Sequence, residues 1–181
     1  MRRISKYLDR SCLLKIFHAF IRSNFQYANI IWHFTSTSSI IKLEKLQRRA
    51  LRIVLNDYTS SYKDLLDNAR VPSLYVSRVQ TIAIETYKSI HKINPKFLHD
   101  VITIKEMKYE LRDDFKSIPP KVNSTTYGLN SFRYESSKIW NQIPIELKQI
   151  QSLPIFISHI RNWPGPLCSC RNCIVCKINN L

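Results

Sequence analysis

Glycine is scarce in this chain of 181 residues, in which only Gly128 and Gly165 occur. An average protein contains about 7% glycine. Left-handed turns, tight hairpins and phosphate-binding loops depend on glycine because it adopts positive φ angles without strain. The composition therefore argues against a glycine-rich nucleotide loop and favours helices, which need no glycine in their interior.

The clearest helical pattern lies within residues 38–66, where it separates apolar from basic side chains. At about 100° per residue, one side collects Leu43, Leu46, Ala50, Ile53 and Val54, with Ile40 and Leu51 at its margin. The other side collects Lys42, Lys45, Arg48, Arg49 and Arg52, which we name the basic stripe. Ser38 or Ser39 is the expected N-cap, and Asn56-Asp57 ends the periodic run.

The charge of the chain is strongly unbalanced around this helix. The net charge is +15, and from residue 1 to residue 55 eleven Lys and Arg are opposed only by Asp9 and Glu44. A solvated surface is the ordinary explanation of a charged helix face. However, salt bridges within the helix cannot neutralise this stripe, and such a field attracts polyanions, of which nucleic acid is the commonest.

An acidic membrane surface is the competing partner, and a targeting sequence is the competing explanation of the N-terminus. No apolar run reaches the ~18 residues of a spanning helix. Lys15, His18 and Arg22 interrupt the apolar N-terminal run at helical spacing, which is typical of an amphipathic helix rather than a signal peptide. We therefore expect no membrane partner, and an intracellular protein, nuclear or cytoplasmic, that is not secreted.

Three further amphipathic segments predict helices along the chain, and each has an expected inner face. A helix over 11–24 turns Leu13, Leu14, Phe17, Phe20 and Ile21 inward. A helix over 74–92, capped by Ser73, turns inward Tyr75, Val79, Ile82, Ala83 and Ile90. A helix over 152–162 turns inward Leu153, Phe156, Ile157 and Ile160.

An aromatic-rich region begins at residue 116 and lies before the helix predicted over 152–162. Its large side chains are too many to leave in water. It contains a predicted helix over 131–140, and we expect both Trp32 and Trp140 to pack inside. Residues 96–115 are predicted to form one helix followed by an irregular polar stretch. The sequence thus predicts a mainly α fold in three parts: a helical bundle over 1–115, a connection with short helices over 116–163, and a cysteine-rich tail over 164–181.

The tail carries the most specific short motif, a C-x-C-x2-C-x2-C run formed by Cys168, Cys170, Cys173 and Cys176. Thiolates this close repel one another unless they are protonated, oxidised or bound to a soft cation such as zinc. The spacing differs from a standard zinc finger, and the closing Cys-Pro of a ferredoxin run is absent. Zinc binding and a tail of reduced thiols remain the two interpretations.

Motifs for catalysis are missing from the sequence. Asp113-Asp114 lies in a polar stretch between Arg112 and Lys116, which indicates a solvated charge cluster rather than a magnesium site. The histidines show no i,i+4 ligand pair and no HExxH pattern. We therefore predict no catalytic residue and no enzyme in this chain.

The order of several segments resembles the C-terminal part of jockey-like non-LTR retrotransposon reverse transcriptases. The similar segments cover residues 13–33, 42–66, 71–95, 127–148 and 152–163, and the most specific pieces are LQRRALR at 46–52 and WNQIP at 140–144. In that family this region looks like the helical thumb and the connection beyond it. The family's catalytic Tyr-x-Asp-Asp belongs to a palm upstream, and Leu111-Arg112-Asp113-Asp114 does not replace it.

The resemblance implies a non-catalytic fragment of an RNA-directed DNA polymerase that retains at most sequence-independent binding of template and primer. Its partners would be RNA or an RNA/DNA duplex, contacted by the basic stripe, and an upstream polypeptide with palm and fingers. The alternative is a small helical protein-interaction module that depends on zinc held by the tail cysteines.

Overall fold

A computed structural model describes residues 2–104, 115–166, 173–179 and 181 of the chain. These residues are mainly helical, as the sequence predicts. The sheet found among them consists of two short antiparallel strands, in which Thr103 pairs with Ile118 and Ile104 with Ser117. The predicted charge cluster at Asp113-Asp114 lies outside the described residues.

The helices of the first half of the chain are α1 (Arg10–Ile16), a π-helical continuation (Phe17–Arg22), α2 (Ser23–Gln26), α3 (Asn29–His33), α4 (Thr37–Leu55), α5 (Tyr62–Ala69) and α6 (Leu74–Ile90). Beyond α6 the elements are a 3-10 helix (Lys96–Val101), β1 (Thr103–Ile104), β2 (Ser117–Ile118) and a π-helical stretch (Thr125–Leu129). The last helices are α7 (Phe132–Gln142), α8 (Ile145–Lys148), α9 (Leu153–Asn162) and α10 (Ile174–Asn179). The helix predicted after residue 96 is thus a short 3-10 helix that leads into a strand.

The described residues form two compact units. The first consists of the described residues of 1–78 and 167–181, and the second of those of 79–166. The division falls within α6, and the predicted boundary at residue 115 lies inside the range of the second unit. Of the described residues in the predicted tail, 164–166 belong to the second unit, and 173–179 and 181 belong to the first.

The core of the first unit forms where α1, α5 and α10 pack on α4. Phe17, Leu51 and Leu65 are fully buried there, and Ile178 of α10 is 3% exposed. Burying a side chain of this size stabilises a fold by roughly 1.5–3 kcal/mol. The C-terminal helix is therefore a part of this core.

The inner face of α4 is rotated from the face that its apolar pattern predicts. Its buried residues are Ile40, Glu44, Gln47, Ala50, Leu51 and Val54. Leu46 is 53% exposed, so the prediction that it lies inside is wrong, and Leu43 and Ile53 are only half-buried. Two polar residues on the true inner face hide it from a pattern based on hydrophobicity.

Both ends of α4 are closed by side-chain or backbone caps. The hydroxyl of Ser36 accepts a 3.3 Å hydrogen bond from the Ser39 amide, so the helix starts before the predicted Ser38 or Ser39 cap. Asn56 ends the helix in a left-handed conformation with φ 51°, and the predicted stop is confirmed. Asparagine tolerates this conformation better than most residues.

Glu44 is a fully buried residue of α4 whose side chain binds the first turn of α6. Its carboxylate accepts hydrogen bonds from the amides of Leu74 (3.2 Å) and Tyr75 (2.7 Å). Ser73 accepts from the next two amides, with its hydroxyl from Val76 and its carbonyl from Ser77. The unpaired amides of a helix N-terminus are therefore satisfied here, and the predicted Ser73 cap is confirmed.

Two aromatic residues near the N-terminus face solvent, against the prediction. Phe20 is 69% exposed because it lies within the π-helical stretch, whose wider turn moves it out of the i, i+3, i+4 register. Trp32 is 45% exposed and donates from Nε1 to the Tyr27 carbonyl at 3.2 Å. Ala28 has a positive φ of 50°, which interrupts the helix between α2 and α3 and changes the direction of this segment.

The second unit has an aromatic core at the point where α9 packs on α6. Tyr87 stacks on Phe156 with ring centroids 4.2 Å apart, and its hydroxyl donates to the Ile150 carbonyl at 2.7 Å. Of the residues predicted inside α6 and α9, those fully buried are Val79, Ile82, Ala83, Phe156 and Ile160. Tyr75 and Ile90 are only half-buried.

The WNQIP segment at 140–144 joins α7 to β2 and α8. Trp140 is fully buried, as predicted, and donates from Nε1 to the Phe115 carbonyl at 2.8 Å. The Asn141 side chain forms two 2.9 Å hydrogen bonds with the backbone of Ser117, one to its amide and one to its carbonyl. Ile143 is buried and Pro144 is the N-cap of α8. Each of these residues has a structural role in the second unit.

Candidate nucleic-acid interface

Helix α4 presents the basic stripe on the side opposite its buried face. Lys42, Lys45 and Arg49 are exposed, whereas Arg48 and Arg52 are half-buried. Residues spaced by three and four lie on one face of a helix, so the stripe is a consequence of the same periodicity that builds the core. The structure keeps all five predicted residues on one helix face.

Four stripe residues line one open cleft of about 420 Å³ in the first unit. Its lining is formed by Arg2, Lys45, Arg48, Arg49, Arg52, Ile53 and Tyr58. Lys42 lies outside this lining. None of the described lining residues is acidic, so the cleft concentrates positive charge in a concave surface, where the field on an anion is strengthened.

Two of the arginines bring incompletely satisfied guanidinium groups to this cleft. The Nε atoms of Arg48 and Arg52 are buried and have no hydrogen-bond partner within the described part of the chain. A buried charged donor without an acceptor is unfavourable. The two arginines are only half-buried as whole residues, so an anionic oxygen in the cleft would compensate their charge, and a guanidinium can hold two such oxygens at once.

The loop between α4 and α5 is held in shape by acidic side chains at both ends. One carboxylate oxygen of Asp57 accepts from the amides of Thr59 (3.1 Å) and Ser60 (3.0 Å) and from the Thr59 hydroxyl (3.2 Å). Hydrogen bonds from Ser60 and then from Thr59 lower the pKa of Asp57 to about 2. Ser61 and Asp64 form a reciprocal capping box at the start of α5. Tyr58 therefore projects from an ordered loop.

A second cleft, of about 330 Å³, adjoins the first at Ile53. Lys6 and Arg10 are its basic lining residues. Arg10 also donates to the Asn68 carbonyl at 3.0 Å, which ties the start of α1 to the end of α5. The basic surface thus continues from the stripe towards the N-terminal segment.

Sequence periodicity could not identify Arg2, Lys6 and Tyr58 as parts of this surface. All three lie outside the regular helices, where spacing carries no information about direction. The charge excess of the first 55 residues was the one available indication for Arg2 and Lys6. No pattern in the sequence indicated Tyr58.

The predicted metal ligands are described only in part. Cys168 and Cys170 lie outside the described residues, whereas Cys173 and Cys176 are half-buried at the start of α10, with their Sγ atoms 3.6 Å apart. Two thiolates on one tetrahedral zinc ion lie about 3.8 Å apart, given Zn–S bonds of about 2.3 Å. Over the described ranges, no three or more His, Cys, Asp or Glu residues converge on a possible metal position.

None of the helices in the described residues is both long and apolar enough to cross a bilayer. The comparisons covered protein-family models, curated proteins and solved structures, and none of them gave a significant match to the chain.

Proposed function

We propose that the chain binds nucleic acid without sequence preference through the cleft that is lined by four residues of the basic stripe. The observation that carries this proposal is the convergence of Arg2 and four stripe residues on one cleft whose described lining contains no acidic residue. Phosphate oxygens in the cleft would balance the charge of these cations. Contacts to phosphates carry no sequence information, so we expect binding to be indifferent to base sequence.

We further propose that the chain is a non-catalytic C-terminal fragment of a non-LTR retrotransposon reverse transcriptase. The resemblance at LQRRALR (46–52) supports this origin, because that motif contributes three stripe arginines to the cleft. In this account the stripe grips a template and primer, RNA or an RNA/DNA duplex, while the palm and fingers belong to an upstream polypeptide. The polymerase chemistry would reside on that polypeptide.

Fluorescence anisotropy of a labelled primer–template duplex tests the binding proposal. The variant Arg48→Glu/Arg49→Glu/Arg52→Glu reverses three charges of the stripe. Its matched control, Lys96→Glu/Lys121→Glu/Arg133→Glu, makes the same change in net charge at exposed positions of the second unit. We expect the stripe variant to lose binding and the control to retain most of it.

A second variant is needed because Arg48 and Arg52 are half-buried, so reversing their charge can cause misfolding. Lys45→Glu/Arg49→Glu changes only exposed residues of the cleft. Circular dichroism should show a native helical spectrum for it, and its affinity should fall well below that of the control. Equal losses in the stripe variants and the control would contradict a localised interface.

A second candidate function is favoured by the 3.6 Å separation of the Cys173 and Cys176 Sγ atoms, which suits two ligands of one zinc ion. In this alternative the chain is a zinc-dependent protein-interaction module. Zinc retained after gel filtration should disappear in Cys173→Ser/Cys176→Ser and persist in the control Cys12→Ser. Loss of partner binding in Cys173→Ser, with the charge-reversed stripe harmless, would favour this candidate over nucleic-acid binding.

A further inference from the structure

The aromatic ring of Tyr58 lies in the lining of the basic cleft and is 58% exposed. A tyrosine of this exposure gains little from burial in the fold itself. Its neighbours in the lining are Ile53 and the stripe arginines, so an apolar surface and a cationic surface meet at one place. This combination is typical of proteins that hold a phosphate backbone and stack a base on an aromatic side chain.

The ring is presented on a loop that is ordered by its own hydrogen bonds. Before Tyr58, the backbone amides of Asn56 and Asp57 both donate to the Arg52 carbonyl. After Tyr58, the amides of Thr59 and Ser60 donate to the Asp57 carboxylate. A group fixed in position loses less conformational freedom on binding than a mobile one. These hydrogen bonds therefore position Tyr58 next to the arginines of α4 in the cleft lining.

An exposed ring in such a cleft distinguishes unpaired from paired nucleotides. In a double helix the bases stack on each other and present phosphates and sugars to a protein surface of this kind, whereas unpaired bases are free to stack on aromatic side chains. A cleft of about 420 Å³ is of the size that holds a small ligand. The adjoining cleft with Lys6 offers a continuation for the phosphates of neighbouring nucleotides.

We propose that this cleft binds an unpaired nucleotide of a single strand, with its phosphates on the arginines of the stripe and its base stacked on Tyr58. The inference rests on the proposed function, since it assigns the class of nucleic acid that the same cleft prefers. Stacking does not depend on the identity of the base, so binding is still expected to be independent of the base sequence.

The experiment compares two labelled strands of equal length and charge, a 12-nucleotide oligo(dT) and a strand of abasic residues that keeps the phosphates without the bases. Affinities are measured by anisotropy at one salt concentration. We expect the wild-type chain to bind oligo(dT) about 5- to 150-fold more tightly, which is the contribution of stacking one base on an aromatic ring. Tyr58→Ala should abolish this difference by weakening the binding of oligo(dT).

Two further variants show whether the ring itself is responsible. Tyr58→Phe keeps the ring without the hydroxyl and should retain the preference for oligo(dT). Tyr127→Ala removes a tyrosine that is 85% exposed in the second unit and should also retain it. A preference that survives Tyr58→Ala, or a loss of abasic binding in that variant, overturns the inference while the proposed function stands. If the wild type binds neither strand nor the duplex, the proposed function fails as well.

Discussion

The hydroxyl of Tyr62 donates a 2.6 Å hydrogen bond to the carboxylate of Glu44 in the interior of the first unit. Tyr62 is 1% exposed and Glu44 is fully buried. The same carboxylate accepts the first two amides of α6, so α4, α5 and α6 meet at one side chain. Burial raises the pKa of Glu44, and burial together with the charge of Glu44 raises the pKa of Tyr62. Glu44 thereby fixes which side of α4 faces inward and which side presents the basic stripe.

We expect Glu44→Gln to destabilise the chain by about 1–3 kcal/mol. The substitution removes the negative charge that lies 4.0 Å from the buried Arg78 guanidinium. It also turns an N–H donor towards a site where three donors already converge on two oxygens. The buried cation without its counter-charge and the unpaired donors both destabilise the fold. Urea unfolding followed by circular dichroism measures the change. The exposed Glu146→Gln is the control, and a Glu44→Gln midpoint equal to that of the control would show that these hydrogen bonds do not hold α4.

The order of the loop that carries Tyr58 should depend on pH through Asp57. Its pKa in the folded chain is about 2, below the ordinary value of 3.8. Its contribution to stability is therefore present above about pH 4 and is lost as the pH falls through 2. Between pH 5 and pH 2, the urea midpoint of the wild type should fall further than that of Asp57→Asn. The control Asp67→Asn should follow the wild type, and parallel curves for wild type and Asp57→Asn would refute the prediction.

Asn141 is expected to stabilise the second unit through its two hydrogen bonds to the backbone of Ser117. Asn141→Ala removes both, with an expected cost of about 1–3 kcal/mol. Asn141→Asp keeps the acceptor for the Ser117 amide but places an oxygen against the Ser117 carbonyl, so it should be destabilising as well. Thermal unfolding gives the comparison, with the exposed Gln142→Ala as control. Melting temperatures that agree among all the variants would exclude this role.

The C-terminal helix should contribute to the stability of the first unit through Ile178. This side chain is 3% exposed and packs in the core formed with α4. Ile178→Ala should cost about 2–5 kcal/mol, as truncation of a buried isoleucine usually does. Lys177→Ala, an exposed change on the same helix, is the control for helix propensity. Chemical denaturation that finds the two variants equally stable would place α10 outside the core.

Local periodicity predicted much of this fold, because the spacing of apolar residues in an amphipathic helix indicates both its length and its two faces. The bounds of α9 agree with the prediction to within one residue, and Asn56 ends α4 as expected. Hydrophobicity alone mispredicted the inner face of α4, since Glu44 and Gln47 are buried with polar partners that come from distant parts of the chain. Phe20 was mispredicted because a π-helical stretch is not encoded by an i, i+4 pattern.

The candidate site could be predicted only where it lies on a helix. The stripe on α4 follows from spacing, whereas Tyr58 reaches the cleft through a loop whose shape is set by the Asp57 hydrogen bonds. Arg2 reaches it through tertiary packing of the N-terminal segment. Neither placement is a property of local sequence, so the concave form of the surface had to come from the structure.

The salt dependence of binding tests the central claim most directly. Anisotropy titrations of a duplex over a range of salt concentrations should give a log–log slope of roughly −3 to −5, as expected if about five phosphate contacts form. The neutral variant Arg48→Gln/Arg49→Gln/Arg52→Gln should bind more weakly, with a slope less steep by about 2–3. A slope near zero for the wild type, or the same slope for both proteins, would contradict phosphate binding by the stripe.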